Sequence, residues 1–171
     1  IKYNVSRANT TRGGMIDRGA NGIVAGGDVR RINTVTMRSV DVEGLDNHQI
    51  RNIPIAEVAG VSKSSRGKVV IIMPQSAHTG KGRTIISSGQ MEAFGCDVDE
   101  KSKRIGGKQR IKTPDGYVFP LMIRNGLPYL PMHPPTDKEL ETLPHVYLTA
   151  DEPWDPSILD CDIEDEDYDE D

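Results

Sequence analysis

Met15-Ile16-Asp17-Arg18-Gly19-Ala20-Asn21 is the stretch on which the reading of this chain turns. Two apolar residues lead into an aspartate, and a Gly-Ala pair follows one residue later. The apolar step predicts the end of a short strand, and the glycine predicts a tight turn directly after it. A carboxylate in that position is held on a rigid edge and faces open space. The plain alternative is an Asx turn ahead of a glycine loop, built from the same residues. Chemistry on a peptide bond would need two such carboxylates sharing one proton, one acting as base toward water and the other as acid toward the carbonyl oxygen. Asp28, Asp41, Asp46, Asp97 and Asp115 all lack a following Ser/Thr-Gly, and Asp115-Gly116 after Pro114 reads as a turn. If Asp17 works as one of such a pair, two chains must each donate it across a two-fold axis.

Outward from this turn the pattern is one of short strands. Val29 to Val42, Gln49 to Val58, Lys68 to Met73 and Arg83 to Ile86 are rich in Val, Ile, Thr and Met, with Gly44, Gly60, Gly67, Gly80 and Gly82 as turn punctuation. Ser87 to Phe94 predicts one short helix, with Ser87 or Ser88 as cap and Gly95 as stop. Residues 96–131 read as hairpins, with turns at Thr113-Pro114-Asp115-Gly116 and Asn125-Gly126 around a strand from Tyr117 to Arg124. Thr136 and Glu139 have the spacing of a capping box for a second short helix ending near Leu143. The expected fold is mainly β. Its expected parts are an extension at 1–12, a domain at 13–95, a hairpin segment at 96–131, a helix and linker at 132–159, and an acidic tail at 160–171. That tail is too charged to offset the entropy of ordering and is expected to be disordered.

Composition narrows the class. The chain has 171 residues with only eight aromatics, so its core must be small and built from Val, Ile, Leu and Met. Residues 151–171 hold 12 of the 26 acids and no Lys or Arg, which leaves 21 bases against 14 acids in the first 150 residues, a net +7 behind the overall −5. No apolar run approaches the roughly 18 residues of a membrane span, and no secretory segment opens the chain, so no membrane partner is expected. The chain begins at Ile1 rather than Met, which reads as a processed or partial product. Cys96 and Cys161 stand far apart, an arrangement that predicts no disulfide framework and suits a reducing compartment.

Taken together these pieces resemble the protease region of copia-type retrotransposon polyproteins. Ile16-Asp17-Arg18-Gly19-Ala20-Asn21 is similar to that family's hydrophobic-Asp-Ser-Gly-Ala-polar motif. Val42-Glu43-Gly44-Leu45-Asp46-Asn47 is similar to its flap segment. Thr84-Ile85-Ile86-Ser87-Ser88-Gly89-Gln90-Met91 with Phe94-Gly95 resembles the segment that closes its protease fold. Gly126-Leu127-Pro128-Tyr129-Leu130 resembles the stretch between protease and integrase. The order and spacing agree across about residues 13–131. The resemblance implies a retropepsin-like closed β domain, active as a homodimer, that cuts peptide segments of its own polyprotein without a cofactor. It implies Asp17 as the catalytic carboxylate, Arg18, Gly19, Ala20 and Asn21 as the active loop, and Gly44, Leu45, Asp46, Asn47 and His48 as the flap. Ile86 and Gly89 would support the loop. An intracellular, cytoplasmic setting within a virus-like particle follows from the same likeness. Arg18 departs from the pattern, since the family carries a small hydroxyl residue there. Two buried arginines near a two-fold axis would be costly unless each met a carboxylate, and a permanent cation would oppose proton sharing. The alternative is a catalytically inactive, structural or nucleic-acid-associated segment.

Other signals are weaker. Thr79-Gly80-Lys81-Gly82-Arg83-Thr84 fails as a phosphate loop because Gly82, not Ser or Thr, follows Lys81. Lys101, Lys103, Arg104, Lys108, Arg110 and Lys112 could line one face of a strand, with Lys103, Arg104, Lys108 and Arg110 as candidate phosphate contacts for weak nucleic-acid binding. A solvated hairpin explains them as well, since no aromatic residues are interleaved for stacking. His48, His78, His133 and His145 accompany no cysteine pair, so no metal site is expected. Ser88 reads as a cap rather than a nucleophile. Trp154 reads as an anchor for the start of the tail or as an exposed linear motif.

Overall fold

The computed structural model describes residues 13–44 and 48–163, together with Ile1. The chain forms β1 (Gly14–Asp17), β2 (Val24–Ala25), β3 (Arg30–Glu43), β4 (Gln49–Ser64), β5 (Gly67–His78) and β6 (Ile85–Ser87) before its first helix, α1 (Ser88–Phe94). It continues through β7 (Asp97–Asp99), β8 (Arg110–Lys112), β9 (Val118–Pro120), β10 (Met122–Arg124), β11 (Leu127–Leu130), α2 (Asp137–Thr142) and β12 (His145–Tyr147). The protein is mainly β.

Two sheets organise these strands. The larger runs β10-β11-β1-β6-β2-β5-β4-β3, with β12 added beside β5, and the smaller runs β7-β8-β9. The long hairpin β4–β5 is the backbone of the molecule. Ile71, Met73, Val58 and Val69 are fully buried and pack with Ile16, Ile86, Met91, Phe119, Leu130 and Leu148 in one apolar cluster. Strands 4 and 5 read as near-continuous apolar runs because both of their faces are covered. Membership of that cluster crosses the expected boundary at residue 95. Ile111 and Phe119 come from the small sheet, and β11 pairs with β1 through Gly14↔Leu130 and Met15↔Tyr129. Residues 96–131 therefore share a core and a sheet with the residues before them. Tyr117 to Arg124, expected as one strand, breaks at Leu121: β9 stays in the small sheet while β10 crosses to the large one.

Local chemistry explains the element ends. Ser87 Oγ accepts from Gln90 N, and Gly95 stops α1 at φ 108, a left-handed conformation that costs glycine nothing. Thr136 and Glu139 complete the capping box of α2. Asn125 (φ 50) and Gly126 (φ 77) form the two-residue turn between β10 and β11. Gly60 was expected at a turn but lies inside β4. A Cβ there would meet Met132 Sδ at 3.0 Å, so the glycine admits a close neighbour rather than ending the strand. Cys96 is buried, which pushes its thiol up to about 12, and Cys161 is exposed; both are free thiols. Among the described residues no helix is long and apolar enough to cross a membrane. The expected extension and most of the expected tail lie outside the described residues.

Candidate functional site

Asp17 is the last residue of β1, and the loop that follows it straddles β6. Strand 1 runs parallel to β6 on one side, with Met15↔Ile85, Ile16↔Ile86 and Asp17↔Ser87. Strand 2 runs antiparallel on the other side through Val24↔Ile85. The chain from Arg18 to Ile23 must therefore pass over the end of β6. The predicted turn is formed, with Gly19 N donating to Asp17 Oδ1 at 2.8 Å and Ala20 N to Asp17 O at 3.3 Å.

Polar contacts from α1 and β5 pin this loop. Ser87 Oγ donates to Ala20 O at 2.8 Å while capping α1. Gln90 Oε1 accepts from Ile23 N at 2.9 Å, and Gln90 Nε2 donates to Gln75 O at 2.9 Å. A buried amide satisfied at both ends fixes the loop against the helix and the sheet. Further along, Gly26 N and Thr84 Oγ1 are 3.0 Å apart, and the Thr84 hydroxyl donates to Asp28 in a short bond. Gly26 must lack a side chain, since a Cβ would fall 2.2 Å from Gly82 O. Ile86 is fully buried on β6 opposite Ile16 of β1, and Gly89 sits on α1 beside Ser87.

Arg18 turns away from the carboxylate. Its guanidinium pairs with Glu92 Oε1 at 2.7 Å and with Glu100 Oε1 at 2.8 Å. Those hydrogen bonds raise the guanidinium further above its ordinary range and, from the other side, lower the Glu100 carboxyl. The costly burial of Arg18 is avoided, because α1 and the residue after β7 supply two acids at the rim. The side chain is 52% exposed, so this is a surface clamp between the loop and α1.

Asp17 lines a cleft of about 600 Å³. Its far wall is the β3–β4 hairpin, which contributes Arg38, Val40, Asp41, Val42, Glu43, Gly44, His48 and Ile50. Val40, Val42 and Ile50 pack with Ile53, Ile55 and Ala77, so the wall is apolar at its base and charged at its edge. The hairpin is irregular, with register shifts between Arg31/Asn33, Thr34/Ser39 and Val40/Val42. Gly44 N donates to His48 O at 2.7 Å and closes its tip. The expected tip residues Leu45, Asp46 and Asn47 lie outside the described residues.

The basic run is not a strand face. Only Arg110 and Lys112 lie on β8; Lys103 and Arg104 occupy a 3-10 turn (Lys103–Ile105), and Lys108 precedes the strand. Gly106 and Gly107 break the run and let the chain curl, and Arg110 is engaged by Asp97 at 3.0 Å. Among the described residues no group of three His, Cys, Asp or Glu stands together as a metal site. Trp154 takes the anchoring role, with its Nε1 donating to Asn21 O at 2.8 Å. Gln90 was legible only as part of a motif; its bridging role needs two sequence-distant carbonyl and amide partners that periodicity does not reveal. Comparison with protein-family models, with curated proteins and with solved structures returns no match for this chain.

Proposed function

We propose that this chain is one subunit of a retropepsin-like aspartic endopeptidase, with Asp17 from each of two chains forming a shared-proton dyad. The reading takes its substrate to be extended peptide segments of a copia-type retrotransposon polyprotein, processed inside the cell. The observation that carries it is the placement of Asp17 at the end of β1, in a turn straddling β6 on the floor of a cleft under a long hairpin. An extended peptide would lie between loop and hairpin, adding backbone hydrogen bonds to an irregular two-stranded edge. Of the paired carboxyls, the ionised one would take a proton from water as it attacks the scissile carbonyl, and the protonated one would donate to the carbonyl oxygen. The outward clamp of Arg18 supports this reading, since it holds that guanidinium on Glu92 and Glu100.

A second reading, a non-catalytic segment of the same kind of polyprotein that touches nucleic acid weakly, is favoured by the missing hydroxyl at position 18 and by exposed Lys103 and Arg104. Protein incubated at mildly acidic pH with peptides from its own polyprotein junctions separates the two. Cleavage that disappears in Asp17→Asn supports the peptidase. Absence of cleavage by the unmodified chain at concentrations that favour dimers removes it.

A further inference from the structure

We propose that Trp154–Leu159 is an internal occupant of the Asp17 cleft: a strap across its mouth that must leave before an extended peptide can lie there. The nature of the displaced ligand rests on the peptidase reading; the strap itself does not. After β12 the chain is fixed to the body, with Leu148 N donating to Ile72 O at 3.0 Å. It then crosses both walls of the cleft. On the loop side, Trp154 Nε1 donates to Asn21 O, and the indole lies over Gly22, with Cδ1 and Nε1 3.6 Å from where a Cβ on that glycine would be. On the hairpin side, Arg38 Nη2 donates to Trp154 O at 3.0 Å. Trp154 and Pro156 both line the cleft, and Leu159 Cδ1 reaches Gly89, 3.5 Å from its Cβ position. One residue thus ties the Asp17 loop to the opposite wall.

The attachment is built to be reversible. Asp155 accepts from Ser157 N and Oγ at 3.0 and 2.8 Å, which shapes the strap, and the Arg38 charge on the hairpin wall acts on the same carboxylate across solvent. Ile158 and Leu159 remain 74% and 52% exposed, so little apolar area holds the strap down. A few hydrogen bonds and side-chain contacts at a solvated rim open far more readily than the β4–β5 core. An incoming extended peptide would replace these bonds with its own backbone groups.

Hydrogen exchange on the full chain tests this independently of catalysis. Trp154→Ala and Arg38→Ala should each speed exchange at residues 18–24 and 38–44 by about fivefold, the factor that one neutral hydrogen bond is worth, with β4 and β5 unchanged. Ile158→Ser, on the exposed side of the strap, should change neither wall. Trp154 is the only tryptophan, so acrylamide quenching of its emission reads docking directly. It should be slower than for N-acetyl-tryptophanamide and should accelerate in Arg38→Ala. Unchanged exchange at both walls, or quenching as fast as the free indole, overturns the proposal. Faster exchange in variants that cleave nothing removes the peptidase reading and leaves the strap. Cleavage with unchanged exchange removes the strap and leaves the peptidase.

Discussion

The two walls of the cleft are held by different kinds of force. The Asp17 wall is pinned: Ser87, Gln90 and the Arg18 clamp each tie it to α1 or its surroundings. The facing wall is a two-stranded ribbon with three register shifts, and Met37 on it is fully exposed. A charged group that must keep its position needs many directional contacts, whereas a wall that must admit a chain needs few. The difference teaches that the Asp17 loop is fixed by polar side chains bonding to backbone, while the facing hairpin rests on apolar packing at its base.

The comparison breaks most completely at Asp17 itself. Asp17→Asn should abolish peptide cleavage, by about a thousandfold or more, while its melting temperature stays within a few degrees, because Asn can still accept from Gly19 N. Beneath the pinned wall, Ile86→Ala should cost about 2–5 kcal/mol of stability, read as a lowered denaturant midpoint with unchanged slope. Ser87→Ala removes both the α1 cap and the bond to Ala20 O and should cost about 1–2 kcal/mol, with faster exchange confined to residues 18–24 and the first turn of α1.

A smaller effect is expected at Arg18. Arg18→Ala should cost no more than about 1 kcal/mol, since the clamp is half exposed, and the difference should shrink in high salt. Its pH dependence has a definite sign. Glu100 is lowered from its usual 4.5, first by the Arg18 hydrogen bond, so its stabilising contribution is present above pH 4.5 and is lost as pH falls through the lower folded value. Thermal unfolding of the native and Arg18→Ala chains between pH 7 and 3 should therefore converge at the acid end. On the ribbon, Met37→Ser should leave stability within about 0.5 kcal/mol. A larger change there would mean that this wall is pinned too.

Much of this was legible in the residues. The Asp17 turn, α1 with its Ser87 cap and Gly95 stop, the α2 capping box and the Asn125-Gly126 turn all depend on partners within a few residues, and each formed where expected. Strands 3, 4 and 5 were visible as apolar runs, although β4 and β5 were set too short. Strand 4 continues past Val58 to Ser64, and β5 past Met73 to His78, because the two pair with each other from Ile55↔Ala77 to Ser64↔Gly67. Gly60 misled for the same reason: its glycine answers to Met132, a residue 72 positions away.

By itself the sequence determined the mainly β character, the local caps and turns, and the placement of one aspartate at the end of a strand, because these follow from spacing and backbone preference over a few residues. Only the tertiary structure decided where Arg18 points, that residues 96–131 share one core with the domain before them, and that Trp154 lies across the cleft. Each of those outcomes depends on contacts between residues some 70 to 130 positions apart. Such contacts form when the sheet brings distant partners together, and nothing in the local order of side chains records them.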